Sequence, residues 1–321
     1  MNPNPFLGVL LVLGAATLWG TTGTAQSLAG GSLSAGWFGA LRLATAGVFF
    51  ALCALVSRPS AGAPFRGRLA ARDVFGAGMC MAVYNLAFFA GIGMIGVALG
   101  TAIALGSGPL WAGLLQAMLH RHRPSAAWWL GTLVAVSGGV LMTLGGTRPV
   151  DGSGARGILL CLLSGFSYAT YTLLNQRMAH AAPASTITSR AFGVAAAIAV
   201  PTAWMTGGAP AFTGADLAAV AYTGIVTAGV PYLLFSLALR HIAPATGVTL
   251  ALCEPVVAFA LSVSVLGQRP EGPAYLGLLL LVCGLLCVVR QELADYRPRT
   301  HSVDDRDRAP AVKPAGASPT V

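Results

Sequence analysis

ALCEPVVAFAL, residues 251–261, sets Glu254 beside Pro255 inside an apolar run long enough to cross a bilayer. A carboxylate at that depth costs roughly 2.5–3.5 kcal/mol on insertion scales, so an acid kept there is a functional candidate by default. Of the ten acidic residues in the chain, Glu254 is the one that falls deep within an expected span. The segment has a counterpart. LGSGPLWAGLL (105–115) lies over it with Pro109 on Pro255. At the same offset of 146, RPSAAWWLG (123–131) lies over RPEGPAYLG (269–277), so Arg123-Pro124 falls on Arg269-Pro270 and Gly131 on Gly277. Gly138 then falls on Gly284, and at slightly larger offsets Trp19 meets Tyr168 and Arg42 meets Arg190. The chain reads as an internal repeat.

Composition sets the solvent. Of 321 residues, 55% are hydrophobic and only 9% charged, with a mean hydropathy of +0.73. A soluble domain carries about 25% charged residues. The 41 glycines suit helices packed closely in lipid. A net charge of +9 would fit a nucleic-acid binder, but the basic residues are scattered through short loops and form no stripe. Cys53, Cys80, Cys161, Cys253, Cys283 and Cys287 all fall in apolar segments and read as small packing residues. His120, His122, His180 and His241 sit at loop edges, with no metal-ligand spacing to those cysteines. Neither a metal nor an organic cofactor is expected. The first apolar run is longer than a signal-peptide core and lacks a basic lead, so it reads as a retained span.

At roughly 20 apolar residues per crossing, ten spans fit near 6–26, 35–56, 73–94, 98–118, 126–145, 157–176, 185–205, 217–238, 243–266 and 273–290. Arg58, Arg66, Arg68, Arg72, Arg121, Arg123, Arg177 and Arg240 then share one side, against Arg148, Arg156 and Arg269 on the other. Positive-inside bias puts the first set, and both termini, in the cytoplasm of a multi-pass cell-membrane protein. The expected fold is an all-α polytopic bundle of ten transmembrane helices. Its units are residues 1–146 and 157–290, each a five-helix repeat, followed by a disordered cytoplasmic tail over 291–321, rich in Pro, Ala and Ser. Five is an odd number, so the repeats insert with opposite orientation. Inverted repeats around a midplane site are a signature of secondary transporters.

The ordered set Leu18-Trp19-Gly20, Arg42, Gly108-Pro109, Glu254-Pro255 and GQRP (267–270) resembles the drug/metabolite transporter superfamily, specifically its ten-span EamA-type exporters. The resemblance covers about 6–290. It implies export of small metabolites, amino acids or drugs from a cavity lined by spans 1–4 and 6–9, with spans 5 and 10 peripheral. Where relatives often carry further acids, this chain has Gly108, His122 and Gln268.

The candidate substrate-binding residues are Glu254, Trp19, Tyr84, Asn85, Tyr168, Tyr232 and Arg42. Glu254 binds a proton or a substrate amine, or it glues helices as a hydrogen-bonded acid. Mid-span Tyr hydroxyls and Asn amides need partners in lipid and should face inward; Phe88, Tyr171, Phe235 and Asn175 belong to the same group as core or lining. Arg42 snorkels to the interface as an anchor or binds a substrate carboxylate. Trp128, Trp129 and Tyr275 read as interfacial belt. The expected function is a secondary transporter that exports a small metabolite (an amino acid, a related zwitterion or an amphipathic drug) by alternating access, with proton coupling through Glu254. The partners are that solute, protons and the bilayer, without nucleic acid; a homodimer is compatible with this reading. The alternatives are a membrane-embedded enzyme, which would need convergent catalytic groups, and a non-transporting scaffold.

Overall fold

The computed structural model describes residues 4–29, 33–56, 68–119, 123–144, 154–211, 213–267 and 269–295. All regular structure among them is helical. Among the described residues nine helical segments are long and apolar enough to cross a membrane: Pro5–Ala25, Ala35–Val56, Ala71–Ile95, Leu99–Leu119, Gly154–Met178, Ala184–Gly207, Gly214–Ala238, Pro244–Ser264 and Gly272–Ala294. The slightly shorter Ala126–Leu144 completes ten. In chain order these are spans 1 to 10. The last helix runs to Asp295, past the expected end at 290, so the remaining tail, 296–321, lies outside the described residues. So do Arg58, Arg66, Arg121, His122, Arg148 and Gln268.

One face of the bundle carries both Pro5 and Asp295 and is called the terminal face. Span 1 starts there: Pro5 occupies a first-turn position where its missing N–H costs nothing, and the Asn4 side chain accepts from Leu7 N–H at 3.2 Å. Successive spans alternate, so the Arg123 loop lies on the terminal face and the Arg269 loop on the opposite one.

The packing repeats under exchange of halves. Span 3 packs on span 6 as span 8 packs on span 1, and span 4 packs on 6 as span 9 packs on 1. Spans 2 and 7 pair with each other, as do 5 and 10. That last pair explains the glycine matches in the sequence. A Cβ at Gly138 would lie 2.6 Å from Gly277 O, and one at Gly284 2.5 Å from Gly131 O. Backbone meets backbone at both levels, which only residues without a side chain allow.

Three spans are not simple helices. Span 9 breaks between Leu250 and Cys253. Pro255 has no N–H for the Ala251 carbonyl, and Glu254 N–H takes that carbonyl instead at 2.9 Å. Span 8 contains a π-turn over Ile225–Gly229, ahead of Pro231. Span 1 bends at Thr21, whose N–H and hydroxyl both bond Leu18 O.

Candidate functional site

Midway across the bundle lies a cavity of about 530 Å³. All seven residues singled out from the sequence line it: Trp19, Arg42, Tyr84, Asn85, Tyr168, Tyr232 and Glu254. They come from spans 1, 2, 3, 6, 8 and 9; among the described residues spans 5 and 10 contribute no lining residue, and neither does span 7, which the family resemblance had placed in the wall. The cavity reaches Gly23, Ala35 and Ile92 near the opposite-face ends of spans 1, 2 and 3.

An aromatic layer forms the other end. Trp19 packs edge-on against Tyr232 with centroids 5.2 Å apart and against Phe235 at 5.6 Å. Tyr168 lies 5.3 Å from Tyr84 and 6.0 Å from Phe235. Between this layer and the terminal face the spans are tied by hydrogen bonds. Ser236 Oγ donates to Asn175 Oδ1 at 2.8 Å, and Asn175 Nδ2 donates to the Tyr171 hydroxyl at 2.9 Å. Gln176 Nε2 donates to Ile242 O, Ala245 N–H to Gln116 Oε1, and Asn4 N–H to His241 Nδ1. Asn175, grouped with Asn85 on sequence, is thus a fully bonded tie and not a lining group.

The polar groups at the cavity differ sharply from those ties. The Trp19 Nε1–H, the Asn85 Oδ1 and the Tyr168 hydroxyl are buried without hydrogen-bond partners. Buried polar atoms are bonded in the great majority of cases, so three orphans around one cavity ask for a ligand or water. Among the described residues, the Glu254 carboxylate has neither an ion pair nor a hydrogen bond to another side chain.

Arg42 departs from the interfacial reading. It lines the cavity, but its Nη2 donates to Thr227 O at 2.9 Å, and its Nε reaches Thr223 O at 3.5 Å. Pro231 has no N–H for the Thr227 carbonyl, and the guanidinium of span 2 caps it. The proline marks the free carbonyl in the sequence, but not which side chain of a distant span reaches it. Trp128 also departs. Expected in an interfacial belt, it is 3% exposed and buried under Gly113. Tyr275 does stand at the surface, 51% exposed.

Sequence reasoning missed Phe38, Phe89, Thr101, Leu105 and Ala258 in the lining. Leu105 carried a signal. It precedes Pro109 by four residues, as Ala251 precedes Pro255, and both line the cavity. Each proline leaves the carbonyl four residues earlier without its helical donor. Tyr84 and Tyr232 are likewise 148 residues apart, the offset of Arg42 and Arg190.

The sequence profile of the EamA-like transporter family matches residues 6–144 and again 155–290. The chain belongs to the EamA-like transporter family. A curated relative, "Uncharacterized transporter YwfM" of Bacillus subtilis (strain 168), is 34% identical over 283 residues, covering 87% of this chain and 92% of its own. A solved structure described only as a crystal structure of a protein superposes with a TM-score of 0.75 at 20% identity, over 90% of this chain and 99% of its own; that likeness shows the fold alone. This EamA-like transporter is therefore a multi-pass membrane transporter of ten helices in two inverted repeats. Its family's two matched blocks meet across the cavity.

Gly20 completes the site. A Cβ there would lie 2.6 Å from Val257 Cβ and 2.9 Å from Glu254 O. Span 1 of the EamA-like transporter thus rests directly on the backbone that carries its one deep acid.

Proposed function

We propose that the protein exports a small solute with a cationic nitrogen and a flat or apolar body, such as an amino acid, a related zwitterion or an amphipathic drug. Glu254 receives the nitrogen, and Trp19, Tyr84, Tyr168 and Tyr232 receive the body through ring faces. Asn85 Oδ1, Trp19 N–H and the Tyr168 hydroxyl supply directional bonds, and the free edge of Arg42 meets a carboxylate where the solute has one. The observation that carries this reading is Glu254 itself, lining a midplane cavity with no hydrogen bond or ion pair to a side chain among the described residues, and with Arg42 as a charged neighbour in the same wall. In a cavity of this depth such a carboxylate is stable only when protonated or matched by a cation.

Alternating access and proton coupling follow from that choice. The cavity reaches the opposite face and is sealed toward the terminal face, so rocking one half against the other would exchange the two. With the arginine-rich terminal face in the cytoplasm of the cell membrane, the described state is open outward. A proton on Glu254 and a cationic solute compete for one carboxylate, which makes the protein an antiporter.

The test is flux in proteoliposomes with a radiolabelled amino-acid and amphipathic-cation panel, with and without a pH gradient. Native protein should accumulate its solute only against a proton gradient. Glu254→Gln should lose that accumulation. Flux indifferent to both the gradient and the substitution would remove the coupling mechanism, and no flux of any amine would remove the substrate class.

A further inference from the structure

A second cavity, of about 210 Å³, opens at the terminal face. It shares no lining residue with the central one. It straddles the halves: Gln116, Arg123 and Trp128 come from the first, His241, Thr246 and Glu292 from the second. Its walls are built, not incidental, since Gln116 is 7% and Thr246 2% exposed.

The polar inventory of this cavity is dominated by donors. The Arg123 guanidinium has no ion-pair partner among the described residues. His241 Nδ1 accepts from Asn4 N–H at 3.1 Å, so the ring's own proton sits on Nε2. Gln116 Oε1 accepts from Ala245 N–H at 3.0 Å, which leaves its NH2 to donate. The Trp128 indole N–H is buried and unpartnered. Glu292 is the carboxylate of the set. Its two oxygens accept from Ala243 N–H at 3.2 Å and Thr246 Oγ1 at 2.6 Å, so it is already engaged at the start of span 9.

Four donors of four geometries, lining one pocket and drawn from both halves, suit an anion with several acceptor oxygens. We infer that this pocket binds a phosphate ester, through Arg123, Trp128, Gln116 and His241. Arginine holds phosphate oxygens in pairs with charge-assisted bonds, and the indole gains the partner it lacks. The pocket opens at span ends on the terminal face, and pockets between spans beside a membrane surface are where lipid phosphates are held. A bound phosphate ester touches both halves at once and so ties them on the terminal face. This inference is independent of the substrate reading.

The measurement is thermal unfolding of the purified full chain in detergent, titrated with three probes. They are phosphatidylglycerol, diacylglycerol with the same chains, and glycerol 3-phosphate. Two variants are run beside the native protein: Arg123→Gln, which removes an exposed cation, and Trp128→Phe, which removes the indole N–H together with the outer ring that packs against Gly113. The expected result is a saturable rise in midpoint with phosphatidylglycerol and none with diacylglycerol. Half-saturation should shift at least tenfold upward in each variant. An equal response to glycerol 3-phosphate would mark a free phosphate ester as the ligand; a response to the lipid alone would mark the headgroup. Equal shifts with diacylglycerol, or variants that respond like the native chain, would overturn the proposal, and because each variant's own midpoint is the reference, a general loss of stability does not imitate either result.

Discussion

Gly20→Ala tests whether the seat of span 1 on span 9 holds the site together. The added methyl would sit 2.6 Å from Val257 Cβ and 2.9 Å from Glu254 O. Carbon atoms prefer about 3.5–4.0 Å, so the two helices must separate by about 1 Å. Neither neighbour can swing away, because one is backbone and the other the branch point of a β-branched side chain. Overpacking of this kind costs about 1–3 kcal/mol. The same shift pulls Glu254 away from the Trp19 wall, so transport should fall by at least tenfold while some folded protein remains. The control is Gly193→Ala in span 7, where a Cβ meets nothing within 4 Å. There the substitution should be neutral or stabilising by up to about 1 kcal/mol, since alanine is the better helix former. Chaotrope unfolding of both purified variants, paired with solute counterflow in proteoliposomes, gives the two readouts. Native-like stability and flux in Gly20→Ala would show that the close approach is not what positions the acid.

Four further outcomes are expected. Asn175→Leu should destabilise by about 1–3 kcal/mol, because it strips the Tyr171 hydroxyl and Ser236 of their buried partner; Asn85→Leu should unfold like the native protein yet lose flux, since its oxygen bonds nothing in the fold. Gly138→Ala and Gly277→Ala wedge one and the same contact between spans 5 and 10; a double-mutant cycle should give less than the sum, whereas Gly138→Ala with Gly284→Ala should add. Burial, and then the neighbouring Arg240, hold His241 below its usual pKa of about 6.5. Above that value both folded and unfolded chains carry it neutral; as pH falls through it the unfolded chain binds the extra proton, so stability drops. Thermal midpoints from pH 7.5 to 5 should therefore fall more in the native protein than in His241→Gln, which keeps an acceptor for Asn4 N–H without a titrating group. Cysteines placed at Arg123 and Arg269 should label from opposite sides of sealed vesicles.

Much of the site was legible because the bilayer makes polar residues conspicuous. An acid, an asparagine or a tyrosine in an apolar run must find a partner or a cavity, and Glu254, Asn85, Tyr84 and Tyr168 found the cavity. The same argument could not separate Asn85 from Asn175, because both satisfy it and only the neighbours differ. Trp128 was misplaced for a related reason: an aromatic near a span end can face the interface or the bundle, and helix rotation decides which. The apolar lining residues, such as Phe38 and Leu105, carry no polar mark at all.

Hydropathy and an odd span count act locally along the chain, and so the number of crossings, the repeat and its inversion are written in the linear pattern of residues. Tertiary structure alone decided which faces meet. It joined Gly131 to Gly284 and Gly138 to Gly277, set Gly20 on the Glu254 backbone, and put Arg42 on span 8 carbonyls 181–185 residues away. Those choices rest on helix rotation and sub-ångström approach, quantities set by packing between segments far apart in the chain, to which a one-dimensional pattern of polar and apolar residues is blind.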